Sequence, residues 1–304
     1  MKHVFVVNPA AGNGMAVKEL LPRIHQALEG FEDDYEIHRT LNAQETALYC
    51  RQKCSFEGRV RVYAVGGDGT VNNVLQGIAG FKNAELAIFP SGSGDDFVRN
   101  FPSPKPFLDI PAMIRASTQK VDVIKYNDMY SINMCNIGTD SAIVEKVAER
   151  KSDRLKGSLV YAVSALEVLA TKPIYEMAYS FDDGEEKQGL FFLSAVGNGR
   201  FCGGGFKSCP KASLKDGLMD VCMVSQVKGP AIVKELLRYR KGTHLKHEST
   251  RRYIEYRQCR KFYLKALTPA TIALDGEVMP FEEGTFEIIP KFINLVVPEG
   301  FVVS

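Results

Sequence analysis

The chain reads as an α/β plus β protein. An N-terminal parallel α/β nucleotide-binding domain is expected over residues 1–120, which the C-terminal tail could complete, and a C-terminal antiparallel β-sandwich domain with helical insertions over 121–304. Three observations predict this. Up to about residue 120, short apolar strands alternate with helical stretches, the pattern of a parallel sheet covered by helices. From Lys120 onward the texture changes to strands and hairpins. Polar or glycine-rich loops after Val7, Val65 and Pro90 all fall at the carboxyl edge of the first sheet, where such sheets bind ligands.

The elements follow in order. Val4–Val7 is a first buried strand, and Asn8-Pro9-Ala10-Ala11-Gly12-Asn13-Gly14 turns from it into a helix over about Ala16–Leu28. Tyr35–Thr40 is a second strand, followed by a helix from Ala43 to about Cys54. Val60–Val65 is the third strand and Leu86–Pro90 the fourth. Between them Gly66-Gly67-Asp68-Gly69-Thr70-Val71-Asn72 opens a helix with Val71, Val74, Leu75 and Ile78 at helical spacing. The chain turns near Pro102–Pro106, and a short helix spans about Asp109–Ala116. In the second domain, strands are expected at Val121–Tyr126, Met129–Asn136, Tyr175–Phe181, Leu190–Val196, Met219–Val224, Arg252–Arg257, Lys261–Leu267, Ala270–Leu274 and Ile293–Val297. Helices are expected at Ser141–Arg150, Leu155–Leu169 and about Pro230–Tyr239.

Composition narrows the class. The 304 residues are 45% hydrophobic and 24% charged with a net charge of +2, an ordinary globular balance. No run of eighteen apolar residues suggests a membrane span, and the N-terminal apolar run is too short for a signal peptide. Seven irregularly spaced cysteines without a C-x-x-C fit reduced thiols in the cytoplasm rather than disulfides or zinc. His244 and His247 fit a solvated basic segment better than a metal site.

The chemistry starts at Gly66–Asn72. A strand, a glycine turn and a helix point backbone N–H groups and a helix N-terminus at an anion. An aspartate inside that turn and a hydroxyl just behind it argue for nucleotide phosphate, hence a kinase. The loop after Val7 lacks G-x-x-x-x-G-K-[ST], and no G-x-G-x-x-G follows the first strand, so this is neither a Walker A nor a Rossmann cradle. Near the end, Asp275-Gly276-Glu277 sets two carboxylates around a glycine. They could take a proton from a hydroxyl or hold a metal, and a plain D-G hairpin accounts for the spacing equally well.

Gly66–Asn72, with Pro90-Ser91-Gly92-Ser93, the Gly203–Ala212 run, Asp216-Gly217-Leu218-Met219-Asp220 and Leu274-Asp275-Gly276-Glu277, resembles the bacterial diacylglycerol kinase and related lipid kinase family over nearly the whole chain. The glycine-aspartate motif is shared with NAD kinases and phosphofructokinases; the downstream motifs are the more specific. The resemblance implies an ATP- and Mg²⁺-dependent transfer of the γ-phosphate to a hydroxyl of diacylglycerol or a similar lipid alcohol, with ATP in a cleft between domains. It places Asn8, Pro9, Ala10, Ala11, Gly12, Thr40, Gly66, Gly67, Asp68, Gly69, Thr70, Val71, Asn72 and Ser93 on the nucleotide. Asp68 and Asp96 would hold catalytic Mg²⁺. Glu277 would accept the proton of the lipid hydroxyl, with Asp275 beside it. Ser213, Asp216 and the carbonyl of Leu218 would form a structural Mg²⁺ site, reached by Asp122 through water.

Two departures stand out. The family usually has Gly-Thr-x-Asn-Asp-Phe where this chain has Gly92-Ser93-Gly94-Asp95-Asp96-Phe97, so a negative charge is added close to phosphate. A glutamate frequent after the motif asparagine is Asn73 here. Both bear on nucleotide affinity and metal arrangement. The expected partners are the lipid alcohol, a membrane surface touched peripherally from the cytoplasm, and a second copy in a homodimer. Lys228–Lys265, with twelve Lys/Arg against three Asp/Glu, could attract anionic headgroups or simply be a solvated face. It carries no recognisable nucleic-acid module. Competing readings are a kinase of a soluble metabolite such as NAD and a nucleotide-binding regulatory protein with weakened catalysis.

Overall fold

The structure, a computed structural model, describes residues 1–150, 163–164, 167–168, 171, 173–226 and 231–304. The chain forms two compact units: Met1–Val123 with Leu214–Asp216 and Ile289–Ser304, and Ile124–Ser213 with Gly217–Ile288. The α/β unit thus reaches three residues beyond 120 and takes in the C-terminal tail, which the sequence numbered within 121–304 while allowing it to complete the first domain.

In the first unit, β1 (Lys2–Val7) pairs in parallel with β2 (Asp34–Arg39) and β3 (Val60–Gly66), and β3 with β4 (Ala84–Pro90). Every residue of β3 and β4 is buried, as a parallel sheet covered on both faces requires. Phe5, Tyr63 and Phe89 stack across β1, β3 and β4, with Phe5 and Tyr63 ring centroids 4.2 Å apart. The helices α2 (Ala43–Cys54) and α3 (Asp68–Ile78) cross closely at Gly77, where a Cβ would lie 2.5 Å from the Ala47 carbonyl. The expected helix at Ala16–Leu28 is instead a wide π turn, Ala16–Leu20, leading into α1 (Leu21–Ala27). Pro22, which lacks an N–H, sits at the start of that helix. The tail adds Asn294 and Leu295, at the end of β13 (Glu277–Val296), beside Glu85 and Leu86 of β4. Phe301 then stacks on Phe101, and α4 (Ile110–Arg115) completes the unit's helices.

The second unit is antiparallel. The hairpin of β5 (Thr118–Tyr126) and β6 (Met129–Ser131) uses Ile124–Tyr126. β7 (Met134–Gly138) and β8 (Tyr175–Phe181) occupy one lane between β9 (Lys187–Gly197) and β12 (Lys261–Leu274). The chain leaves that lane after Gly138 into α5 (Thr139–Glu149), held by Thr139 Oγ1 donating to the Phe192 carbonyl at 2.7 Å. Beyond β9 lie β10 (Met219–Ser225) and β11 (Ile254–Cys259). Two short helices, α6 (Ala231–Arg240) and α7 (Glu248–Arg251), precede β11. The core strings together Tyr126, Tyr179, Phe181, Phe262, Phe281 and Phe286.

Three strand expectations change. Met129–Asn136 is two strands, broken at Ile132-Asn133, for a reason given below. Lys261–Leu267 and Ala270–Leu274 are one strand with a register shift between Lys265 and Ala270. The long β13 was seen only at its end, because Pro280, the Glu282-Glu283-Gly284 run and Pro290 interrupt its alternation. The helix expected at Leu155–Leu169 lies almost wholly outside the described residues. All seven cysteines are buried and free.

Candidate functional site

In the first unit three loops meet at the carboxyl ends of β1, β3 and β4. The chain leaving β1 is pinned by Asn8 N donating to the Val65 carbonyl at 3.0 Å and Asn8 Nδ2 donating to Thr70 Oγ1 at 3.0 Å. Asn8 Oδ1 also accepts from Ala10 N at 3.0 Å, which tightens the turn through Pro9 and Ala11. Gly12 has φ +57°, and a Cβ there would sit 2.1 Å from the Ser91 carbonyl, so only glycine allows the first loop against the third. A Cβ on Gly92 would be 2.6 Å from Gly67 Cα, bringing the second and third loops together backbone to backbone. Thr40 N donates to the Val7 carbonyl at 2.9 Å, placing Thr40 at the same edge.

The N-terminus of α3 opens here. Its first N–H groups have no intrahelical acceptor, and the helix dipole favours an anion in front of them. Asp68, the first residue of α3, turns its carboxylate onto the loop after β4. Oδ2 accepts from Asp96 N at 3.1 Å and Oδ1 from Phe97 N at 3.2 Å. Burial raises the Asp68 carboxyl above its ordinary range, and the neighbouring Asp96 charge raises it further. Asp96 is 6% exposed and lies 3.2 Å from Arg99 Nε. Asp95, with φ +48°, accepts from Gly92 N at 2.9 Å, and burial raises its carboxyl to about 6.

The structure therefore gathers Asn8, Gly12, Gly66, Gly67, Asp68, Thr70 and Asp96 with Ser91, Gly92 and Gly94. Ser93 is exposed in the same loop, as are Pro9 and Ala10 in theirs. Val71 and Asn72 are buried in the first turns of α3, where Asn72 Oδ1 accepts from Gln76 Nε2 at 3.2 Å. Gly69 lies between them and Asp68, partly exposed. Among the described residues, no three His, Cys, Asp or Glu side chains form a ready-made metal group.

The Asp275-Gly276-Glu277 turn, in the second unit, separates its two carboxylates sharply. Asp275 is 6% exposed with φ +44°. Its Oδ1 accepts from Ser131 Oγ at 2.7 Å, Asn133 N at 3.1 Å and Met134 N at 2.8 Å, and its Oδ2 from Ile132 N at 2.9 Å. These four donors make Asp275, expected beside the proton acceptor, the anchor of the turn, with its acceptor positions largely occupied. They also explain the break between β6 and β7: the N–H groups that would continue the ladder point at a carboxylate. Glu277 is exposed and pairs through its backbone with Leu274, while its carboxylate forms no hydrogen bond or ion pair among the described residues.

The anchor extends through asparagines that the sequence reading did not single out. Asn198 Nδ2 donates to the Ile132 carbonyl at 2.8 Å, and Asn133 Nδ2 to the Phe201 carbonyl at 2.9 Å. They tie the turn to the glycine run, which is no loose cradle: Gly203, Gly204 and Gly205 all have positive φ, and Cys202 and Phe206 exchange backbone hydrogen bonds across them. The only available signal was that polar Asn133 and Asn198 flank strand ends.

Of the expected structural metal residues, Asp216 is exposed and Ser213 and Leu218 are partly exposed, all within one short stretch before β10. Asp122, fully buried in the first unit, accepts at Oδ1 from Lys291 N at 2.7 Å. His244 is buried and His247 exposed, so they share no site.

Residues 2–126 match the diacylglycerol kinase catalytic domain, and residues 133–297 the YegS C-terminal NAD kinase beta sandwich-like domain. A protein of Alcanivorax borkumensis named "Probable lipid kinase YegS-like" is 31% identical over 247 residues, 79% of each chain. The protein of Bacillus subtilis named diacylglycerol kinase is 26% identical over 300 residues, 97% of this chain and 95% of that one. A crystal structure of a diacylglycerol kinase from Bacillus anthracis superposes with a TM-score of 0.69 at 21% identity, covering 99% of this chain and 98% of that one, which is a likeness of fold.

Proposed function

The chain belongs to the diacylglycerol kinase and lipid kinase family, and we propose that it transfers the γ-phosphoryl group of ATP to a hydroxyl of diacylglycerol or a similar lipid alcohol. The observation that carries this reading is the meeting of three loops around the N-terminus of α3. Backbone N–H groups there can surround phosphate without adding charge, while the enclosed Asp68 and Asp96 carboxylates repel each other and favour a cation. Their hard oxygens fit Mg²⁺, which usually takes one or two carboxylates together with phosphate oxygens. When bound, Mg²⁺ neutralises charge that builds on the transferring phosphoryl group.

The chain's own residues do the rest. Asn8 and Thr70 fix the first loop against α3, and Gly12, Gly67 and Gly92 let the three backbones close around the triphosphate. Glu277 accepts the proton of the acceptor hydroxyl as the oxygen attacks phosphorus, and ADP leaves. Asp275 fixes the backbone from which Glu277 projects. The acceptor is an amphiphile reached at a membrane surface; among the described residues no helix is long and apolar enough to cross one. The structural Mg²⁺ assigned to Ser213, Asp216 and Leu218 and a homodimer belong to the same reading.

The test is radiolabelled phosphoryl transfer from γ-labelled ATP to a panel of diacylglycerol, monoacylglycerol, sphingoid base, phosphatidylglycerol, undecaprenol and NAD, each with and without Mg²⁺. Label in a lipid alcohol, dependent on Mg²⁺, is expected. Label in NAD alone would replace the lipid reading with that of a metabolite kinase.

A further inference from the structure

The second unit carries positive charge that its fold does not neutralise. Lys207 follows the glycine turn and is backbone-bonded to the end of α6, with Lys207 N donating to the Arg240 carbonyl at 3.1 Å. Arg240 lies over the Phe206 ring at 5.7 Å and Lys207 over Phe201 at 5.6 Å. Two further cations, Arg200 and Lys246, act on Lys207. Partial burial and these like charges hold its ammonium below the ordinary lysine range. Among the described residues Lys207, Lys241 and Lys246 form no ion pair, whereas other basic residues nearby do: Arg238 with Glu235, Lys261 with Asp183, Lys265 with Glu283.

A plain structural explanation covers part of this. Arg240 and Lys241 stand at the C-terminal end of α6, where cations offset exposed carbonyls. It does not cover Lys207 and Lys246, which repel each other and would both gain from an anion. An apolar side chain stands exposed on the helix that ends at Arg240. Leu237 is 53% exposed on α6, one turn after exposed Lys234 and one turn before exposed Lys241. An exposed leucine between lysines on one helical face suits the boundary between headgroups and acyl chains.

We propose that the end of α6 and the adjoining glycine turn, with Lys207, Lys241, Lys246 and Leu237, form the surface by which this protein docks on an anionic lipid bilayer. This rests on the lipid kinase reading only in the choice of partner. Charge complementarity selects the bilayer: a plane of phosphate headgroups meets several cations at once and leaves Leu237 an apolar layer to enter, which a single free phosphate cannot offer. Each basic residue near such a surface contributes about 1 kcal/mol, so two lysines are worth about 30-fold in partitioning.

The experiment is co-sedimentation of the full chain with phosphatidylcholine vesicles, with and without phosphatidylglycerol. Wild type should bind only the anionic vesicles and release as salt rises from about 0.1 M to about 1 M, which shortens screening from about 10 Å to about 3 Å. Lys207→Ala/Lys246→Ala should bind about 30-fold more weakly, with melting lowered only by the lost packing of Lys207 on Phe201, because among the described residues neither lysine has an acidic partner. If that double variant fails to fold, Lys246→Ala alone, at an exposed position, should still lose about fivefold. Leu237→Ser should weaken the part of binding that survives salt. Equal binding of wild type and the lysine variants, or equal binding to both vesicle types, would overturn the assignment. Phosphoryl transfer to a short-chain diacylglycerol dispersed without vesicles reads the function separately. A protein that docks through these lysines yet phosphorylates no lipid would sink the kinase reading and leave the docking surface standing.

Discussion

Replacing Asp275 separates an anchoring carboxylate from a catalytic one. In Asp275→Ala the Ser131 hydroxyl and the N–H groups of Ile132, Asn133 and Met134 lose their acceptor in a buried place. Each orphaned donor costs about 1–3 kcal/mol, and because the four share one carboxylate and can partly reorganise, we expect a total of about 4–6 kcal/mol. For a unit of this size that lowers the melting temperature by about 10–20 °C. Asp275→Asn keeps one acceptor oxygen for Ser131, Asn133 and Met134 but turns an NH₂ toward Ile132 N, so it should lose about half as much. The assay is thermal melting of both variants beside phosphoryl transfer, with transfer measured well below the lower melting temperature. The expected result is a graded loss of stability, with activity falling because the Glu277 turn loosens. A melting curve for Asp275→Asn that matches wild type, alongside abolished transfer, would refute the reasoning and return Asp275 to the chemistry.

Other outcomes follow from the same geometry. Glu277→Gln, at an exposed position without partners, should leave ATP affinity and melting unchanged while slowing transfer by about 10²–10⁴-fold, read by single-turnover phosphoryl transfer and calorimetry. Asp95 has its carboxyl raised from 3.8 to about 6, so its ionisation opposes folding, an effect absent below pH 4 and complete above pH 6. Asp95→Asn, which keeps the Gly92 N–H bond, should therefore raise stability by about 1–2 kcal/mol at pH 7.5 and by nothing at pH 4, measured by urea unfolding; equal shifts at both pH values would count against it. Burial lowers His244 from 6.5 to about 4, so the neutral ring's contribution is complete above pH 6.5 and is lost as pH falls toward 4, by up to about 3 kcal/mol. His244→Gln should flatten that acid slope in urea midpoints, and an unaltered slope would place the titration elsewhere.

What was legible in the sequence was what a short window contains. The alternation of buried strands with helices in residues 1–120 needs no distant information, because β3 and β4 are apolar apart from Arg61 and Glu85, which pair with each other at 2.7 Å, and so announce burial on both faces. The long β13 was not legible for the opposite reason. Its buried positions Phe281, Phe286 and Ile288 are separated by exposed glutamates and by Gly284, which packs against the Tyr126 ring, and pairing with distant segments of β12 holds this stretch as a strand. The tail, which the sequence allowed to complete the first domain, joins the first unit through Asn294, Leu295 and Phe301 meeting residues about two hundred positions earlier.

The two halves of the candidate site differ in the same way. Gly66–Asn72 is a local device: the strand, the turn and the helix N-terminus are contiguous, so the anion-facing geometry can be read directly from the residues. Asp275 is a non-local one. Its motif, aspartate-glycine-glutamate, presents two carboxylates that spacing alone does not tell apart, and what distinguishes them in the structure is a segment more than 130 residues earlier that turns four donors onto one of them. A buried carboxylate with its acceptor sites filled has little capacity left for a substrate proton, while its exposed neighbour two residues on has all of it. The saturation of Asp275 thus supports the proposal that Glu277 is the proton acceptor of the turn. That step depends on Ser131–Met134 being broken out of a strand, a break that no propensity in Met129–Asn136 predicts.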